Sequence, residues 1–247
     1  MSRAEKLITG ATRLPGYSGT WRRVRFGEIA AIRNDKVHST GLPAATRCVA
    51  LEHIHSGGTG RLQGWSHASE SNATGYRFFA GDVLFGRLRP YLRKYWRADW
   101  SGMCTTEIWP LVPAQPRVTT SAYLMALVQT AAFFNGAAVT YGTHMPRADW
   151  AVVERLEFAL PPVAEQRAIT AVLTDVDAEI AALERLLVKA RAIKLATMQQ
   201  LLTGRTRLPG FPERERERGR ERERERFRIV QLILVFLISV TKKGLIT

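Results

Sequence analysis

The chain has 247 residues, 46% of them hydrophobic, and a formal net charge of +14. That apolar share suits a folded protein of one or two domains and excludes a disordered chain. The charge points to a polyanionic partner, nucleic acid ahead of an anionic membrane surface. Two cysteines, Cys48 and Cys104, give no disulfide framework and fit a reducing compartment. The opening MSRAEKLITG lacks a signal-peptide core, so the expected location is cytoplasmic.

An internal repeat organises the chain. LITGATRLPGY at Leu7–Tyr17 recurs as LLTGRTRLPGF at Leu201–Phe211, with eight identities in the first ten positions. The second copy follows a long helical pattern, so residues 1–19 read as the remnant of a preceding helix exit and its loop. The unit implied is cyclic: helix, exit loop, domain, helix, exit loop.

Residues 20–160 read as one mixed domain. TWRRVRFGEIAAI has a strand-then-helix pattern, and CVALEHI at Cys48–Ile54 reads as a buried strand. HSGGTGRLQGWSHASESNATG, His55–Gly75, is a long Gly- and Ser-rich loop, of the kind that usually carries function. YRFFAGDVLFGRLRPYLRKYW predicts a strand, a turn at Gly81 and Asp82, a strand at Val83–Phe85 and a basic segment broken by Pro90. CTTEIWPLVP predicts one strand, Ser121–Asn135 one apolar helix, and Leu156–Leu160 an extended segment.

Pro161 and Pro162 then preset the first turn of a helix over 161–204. Glu165 places a charge at the positive end of its dipole, and Gly204 supplies the left-handed stop. Ile169, Leu173, Val176, Ile180, Leu183, Leu187, Ala190 and Leu201 recur at the three-and-four spacing of a coiled-coil seam, interrupted at Lys194 and Thr197. About 40 residues at 1.5 Å each make a rod of roughly 60 Å, longer than a small domain covers, so the seam implies a partner helix. The fold class is α+β: a mixed α/β domain followed by a long coiled-coil-forming helix.

After an exit loop at 205–212, Glu213–Arg226 alternates six Glu with seven Arg. This is a solvated low-complexity tract that a repeated GA dinucleotide would encode. The tail to Thr247 then reads as disordered or as out-of-frame translation. Its apolar run, Ile229–Val240, is shorter than the roughly 20 residues that span a bilayer, so no membrane association is expected.

Three groups are candidates for nucleic-acid contact. The first is the basic and aromatic run Arg87, Arg89, Tyr91, Arg93 and Lys94, in which cations would neutralise phosphates. On an extended strand Arg87 and Arg89 would share a face. The second is the loop, with Arg61, Gln63 and His67 as donors and acceptors for base edges. The third is the turn GTHMPR, with Thr143, His144 and Arg147. Each side chain taken alone could equally be a solvated surface group or part of the fold. Catalytic signatures are missing: there is no GxxxxGK[ST] loop, no Asn-Pro-Pro-Tyr or Asp-Pro-Pro-Tyr string and no carboxylate cluster with a lysine. Cys48, His53, His55 and Cys104 lack the Cys-x-x-Cys spacing of a zinc site, and no metal is expected.

GDVLFGRLRPYLRK, GMCTTEIWPLVP, YGTHMPRADW, LPPVAEQRAI and MQQLLTGRTRLPG occur in this order. Over roughly Lys6–Phe211 the chain resembles one half of a specificity subunit of type I restriction-modification enzymes. The resemblance implies a target-recognition domain at 20–160 and a conserved spacer helix at 161–204 that acts as a ruler between half-sites. It implies double-stranded DNA as ligand, with methyltransferase (modification) subunits and a restriction/translocase subunit as partners. Either a homodimer or a second half-subunit would complete the pair. No cofactor is expected on this chain; S-adenosylmethionine, ATP and Mg are expected on partner subunits. A stand-alone DNA-binding regulator and an inactive truncated or frameshifted fragment are the alternative readings.

Overall fold

The computed structural model describes residues 3–139, 145–206, 208 and 230–231. Most of the second repeat copy beyond Thr206 and nearly all of the Glu/Arg tract and tail lie outside the described residues, as do Thr143 and His144. The chain divides into two units, Met1–Ala181 and Ala182–Thr247.

In the first unit the element order is α1 (Arg3–Ile8), β1 (Arg22–Arg25), α2 (Phe26–Ile29), β2 (Ala30–Ile32), β3 (Lys36–His38), β4 (Arg47–Val49), β5 (Ser66–His67), β6 (Thr74–Phe78), β7 (Val83–Gly86), β8 (Tyr95–Arg97), β9 (Gly102–Thr105), β10 (Ile108–Pro113), α3 (Ser121–Val128), α4 (Ala131–Ala137), α5 (Trp150–Val153), β11 (Glu157–Leu160) and the start of α6 (Val163–Leu202). Strands β2-β10-β7-β8 form one sheet and β3-β6-β9-β4-β5 another, while β1 pairs with β11. All of these pairings are antiparallel except β4 with β9.

Period-two alternation sets the layers. All four residues of β7 are buried: Val83 and Phe85 join the helical core with Phe26, Trp109, Leu124 and Phe133, whereas Leu84 joins Val49, Phe78, Trp96 and Ile108. The expected strand at CTTEIWPLVP is two strands, because a turn at Thr106 and Glu107 passes the chain from one sheet to the other. The apolar helix expected at 121–135 is also two. The Thr130 hydroxyl donates to the Leu127 carbonyl at 2.7 Å and accepts from the Phe133 N–H at 3.3 Å, ending α3 and capping α4. Cys48–Ile54 is strand only to Val49; Leu51–His53 is a 3-10 turn. Gly75 admits no side chain, since a Cβ there would lie 2.1 Å from the Cys104 carbonyl oxygen.

The N-terminal segment is built into this core. Leu7 and Ile8 are buried in the helical cluster, and the Tyr123 hydroxyl donates to the Ile8 carbonyl at 3.0 Å. The start of α6 is anchored as firmly. Glu165 accepts from Arg13 and from the Trp21 indole. Gln166, fully buried, accepts from the Thr120 N–H and donates to the carbonyls of Val118 and Pro161. Of the expected seam, Ile169 is buried in the domain core and Leu173 packs against it, because this first stretch of the helix closes the domain. These two positions are therefore core and not free seam; Val176 and Ile180 are exposed.

In the second unit the described helix runs on from Ala182 to Leu202, with Leu183, Leu187 and Leu201 exposed. Leu186, Val188, Ile193, Leu195, Met198 and Leu202 are exposed as well, so the apolar surface is wider than one seam. The sequence repeat is also a repeat of local structure. Gly10 and Gly204 both take left-handed φ, 77° and 69°. The N–H of Thr12 reaches the Lys6 carbonyl as that of Thr206 reaches Gln200. Thr9 and Thr203 hydroxyls each bond the carbonyl four residues back. Both helices thus exit through a left-handed glycine.

Candidate nucleic-acid interface

The three candidate segments converge. The loop after the 3-10 turn at Leu51–His53 folds into a two-stranded arm: Ile54 bridges Leu62, the His55 N–H donates to the Arg61 carbonyl and that of Gln63 to His53. The tip of the arm lies on the basic segment, where the Gly57 N–H bonds the Leu92 carbonyl at 2.9 Å and the Gly58 N–H that of Arg93 at 3.0 Å. The Tyr95 hydroxyl donates to the Gly58 carbonyl, and burial pushes its pKa up to about 12. On the other side, Leu88 bridges Arg147, the Arg89 N–H bonds the Pro146 carbonyl at 2.7 Å and the Ala148 N–H that of Arg87 at 2.8 Å. One ribbon, residues 87–95, thus carries both flanking segments.

The ribbon is not a strand. β7 ends at Gly86, and Arg89 and Arg93 both adopt left-handed φ, 51° and 50°, around a one-turn 3-10 helix at Pro90–Leu92. The shared strand face expected for Arg87 and Arg89 is therefore broken at Arg89. A non-glycine residue in this region costs about 1–3 kcal/mol, and such residues cluster at functional sites. Here the turn is Pro-initiated and both arginines are exposed.

The charges divide into two kinds. Some cations are engaged within the domain. Arg147 forms a two-pronged pair with Glu107, at 2.8 and 2.9 Å, and this pair together with nearby Arg87 holds the Glu107 carboxyl below its ordinary range. Arg87 lies over the Trp109 ring at 5.3 Å, its Nε buried without a hydrogen-bond partner. The Lys94 ammonium donates to the Leu51 carbonyl at 2.7 Å, and the Gln63 amide to that of Glu52. Partial burial raises the carboxyl of Asp177, on α6, against the opposing pull of Arg61. The second kind is presented outward: Arg89 and Arg93 have no carboxylate at ion-pair distance among the described residues. Arg93 lies 4.8 Å over Phe134, and Tyr91 is 61% exposed.

His67 is placed away from the ribbon. Its ring meets Trp65 edge-on at 4.9 Å, and its Nδ1 is buried without a partner. Beside it sequence reasoning passed over Arg47, which faces His67 across β4 and β5 and lies over the rings of both Trp65 and Trp100. An exposed Trp in a Gly/Ser-rich loop was the available signal. Cys48 and Cys104 are buried, and among the described residues no group of three potential metal ligands occurs. No described helix is long and apolar enough to cross a membrane.

No family model matches the chain. Over 159 residues it is 26% identical to the specificity subunit of the type I restriction enzyme EcoDI from Escherichia coli, covering 63% of this chain and 34% of that protein. Its fold is similar to the solved HsdS subunit from Thermoanaerobacter tengcongensis, with a TM-score of 0.59 at 23% identity over 84% of this chain and 54% of that one. A chain from a structure of type I R-M complex assembly and conformational transition is equally similar, with a TM-score of 0.59 and 23% identity over 82% and 53% of the two chains. The chain spans about a third of the curated relative and about half of each solved chain. In sequence and in fold it is similar to the specificity subunits of type I restriction enzymes, over one mixed domain and one long helix.

Proposed function

We propose that this chain supplies DNA sequence recognition to a type I restriction-modification complex. Its mixed domain binds a half-site of a few base pairs. The exposed stretch of α6 pairs with a second copy or a second half-subunit, and docks methyltransferase subunits. Catalysis resides in the partners: modification subunits carrying S-adenosylmethionine and a restriction/translocase subunit using ATP and Mg. The chain itself is non-catalytic, and the assembly works in the cytoplasm.

The observation that carries this reading is the convergence of the arm at 53–63 and the turn at 145–148 on the strained basic ribbon 87–95. This occurs in a domain similar to specificity subunits. A surface built from loops on a rigid scaffold, with outward arginines, is suited to duplex DNA. The test is to express the chain with type I modification subunits, exchange residues 20–160 for the equivalent domain of another specificity subunit, and map methylated sites by long-read sequencing. The methylated sequence should change with the domain; an unchanged methylome defeats the reading.

A further inference from the structure

Four other arginines lie over aromatic rings among the described residues, Arg13 over Trp21, Arg33 over Phe79, Arg87 over Trp109 and Arg93 over Phe134, and each meets one ring; two of them, Arg13 and Arg33, are also paired to carboxylates. Arg47 differs on both counts. Its guanidinium carbon is 4.8 Å from the Trp65 ring centroid and 5.1 Å from that of Trp100, and no carboxylate pairs with it among the described residues.

Both rings are themselves held. Trp100 packs at a tilt against Phe78 and Trp96, with ring centroids 5.3 and 5.2 Å away, two residues of the inter-sheet core. Trp65 is braced edge-on by His67, and 40% of it remains exposed. The backbone fixes the base of the arrangement, because Arg47 and His67 are direct partners across β4 and β5. From Arg47 the chain passes through β4 into the arm at 53–63 and returns at Trp65, so the cluster stands at the foot of that arm.

Two indoles against one guanidinium restrict its plane, and all five N–H donors lie in that plane. A phosphate can be approached from many directions and makes little use of such restriction. A base edge with two coplanar acceptors uses it fully, and guanine O6 and N7 in the major groove are that edge. Resting on the DNA-recognition reading above, we propose that Arg47 is a specificity-determining residue that reads one guanine of the half-site, with Trp65 and Trp100 as its positioning residues.

The test is selection of double-stranded oligonucleotides with a randomised core by the full chain, for wild type, Arg47→Ala, Arg47→Lys and Trp65→Leu, with thermal unfolding measured alongside. Wild type should enrich a motif containing a fixed guanine. Arg47→Ala should reduce preference at that one position by roughly 5- to 150-fold, the range for a bidentate contact, leaving the rest of the motif intact. Arg47→Lys should lose it too, since an ammonium cannot make the fork. Trp65→Leu should weaken it at the same position with the charge unchanged. An unaltered motif in folded Arg47→Ala overturns the assignment, as does a uniform loss across sequences that lysine restores, the mark of a phosphate contact. A wild-type chain that enriches no sequence defeats the DNA-recognition reading itself and this assignment with it.

Discussion

Glu165 and Arg13 close on each other through two hydrogen bonds of 2.6 and 2.7 Å. The pair joins the first repeat copy to the first turn of α6, and the Trp21 indole adds a third donor at 3.0 Å. Glu165 is 1% exposed, so its charge is compensated chiefly by these partners. Removing one member of a buried pair strands the other, at about 3–5 kcal/mol. Because the Arg13 side chain keeps 24% of its exposure, the lower end applies. Glu165→Ala should cost about 3 kcal/mol in denaturant unfolding, whereas Arg13→Met with Glu165→Met should cost much less than the sum of the single changes. Additive losses would show that the pair is not coupled.

The same helix separates core from seam. Ile169 is buried among the domain's residues while Leu187 is 50% exposed. Ile169→Asp should unfold the domain, since it places an unpaired charge in the core. Leu187→Asp should leave unfolding of the first unit within about 0.5 kcal/mol of wild type and reduce self-association measured by sedimentation. If Leu187→Asp leaves the association state unchanged, the exposed stripe is not the pairing surface.

These two positions mark how far the sequence could be read. Spacing placed the long helix and its ends closely, because a start signal, a period and a left-handed glycine agree there. It could not tell that Ile169 and Leu173 face the domain while Val176 and Ile180 do not, since a heptad stripe is the same whether it meets a sheet or a second helix. Arg87, Arg89 and Arg147 were legible as basic residues. That Arg147 is held by Glu107, 40 residues away, and that Arg89 turns left-handed depend on which strands pair, and local propensity does not encode strand pairing. Arg47 was invisible for the same reason: its two tryptophans arrive from separate strands' ends.

The Glu107–Arg147 pair gives a pH signature. The Arg147 hydrogen bond, with Arg147 and Arg87 charges behind it, lowers the Glu107 carboxyl, while partial burial opposes this. A carboxyl whose folded value is depressed contributes stability above its unfolded value of about 4.3, and loses it as pH falls through the folded value. Glu107→Gln should therefore lower Tm at pH 7, and the difference from wild type should shrink toward zero below about pH 4. A difference that persists at acid pH would mean that packing, and not the charge, sets the effect.

Outward and engaged arginines should separate in salt titrations of DNA binding. Arg89 is exposed, left-handed and without a carboxylate partner among the described residues. Arg89→Asn removes its charge with a residue that tolerates the same φ. If Arg89 neutralises a phosphate, the slope of log K against log salt should become shallower by about 0.9, and affinity should fall alike for every sequence. Arg147 is held by Glu107, so Arg147→Gln should change the slope little, the carboxylate left behind acting mainly on local stability. Fluorescence anisotropy with a labelled duplex between about 50 and 200 mM salt reads both. Equal slope changes for the two variants, or none for Arg89→Asn, would place the phosphate contacts elsewhere on the domain.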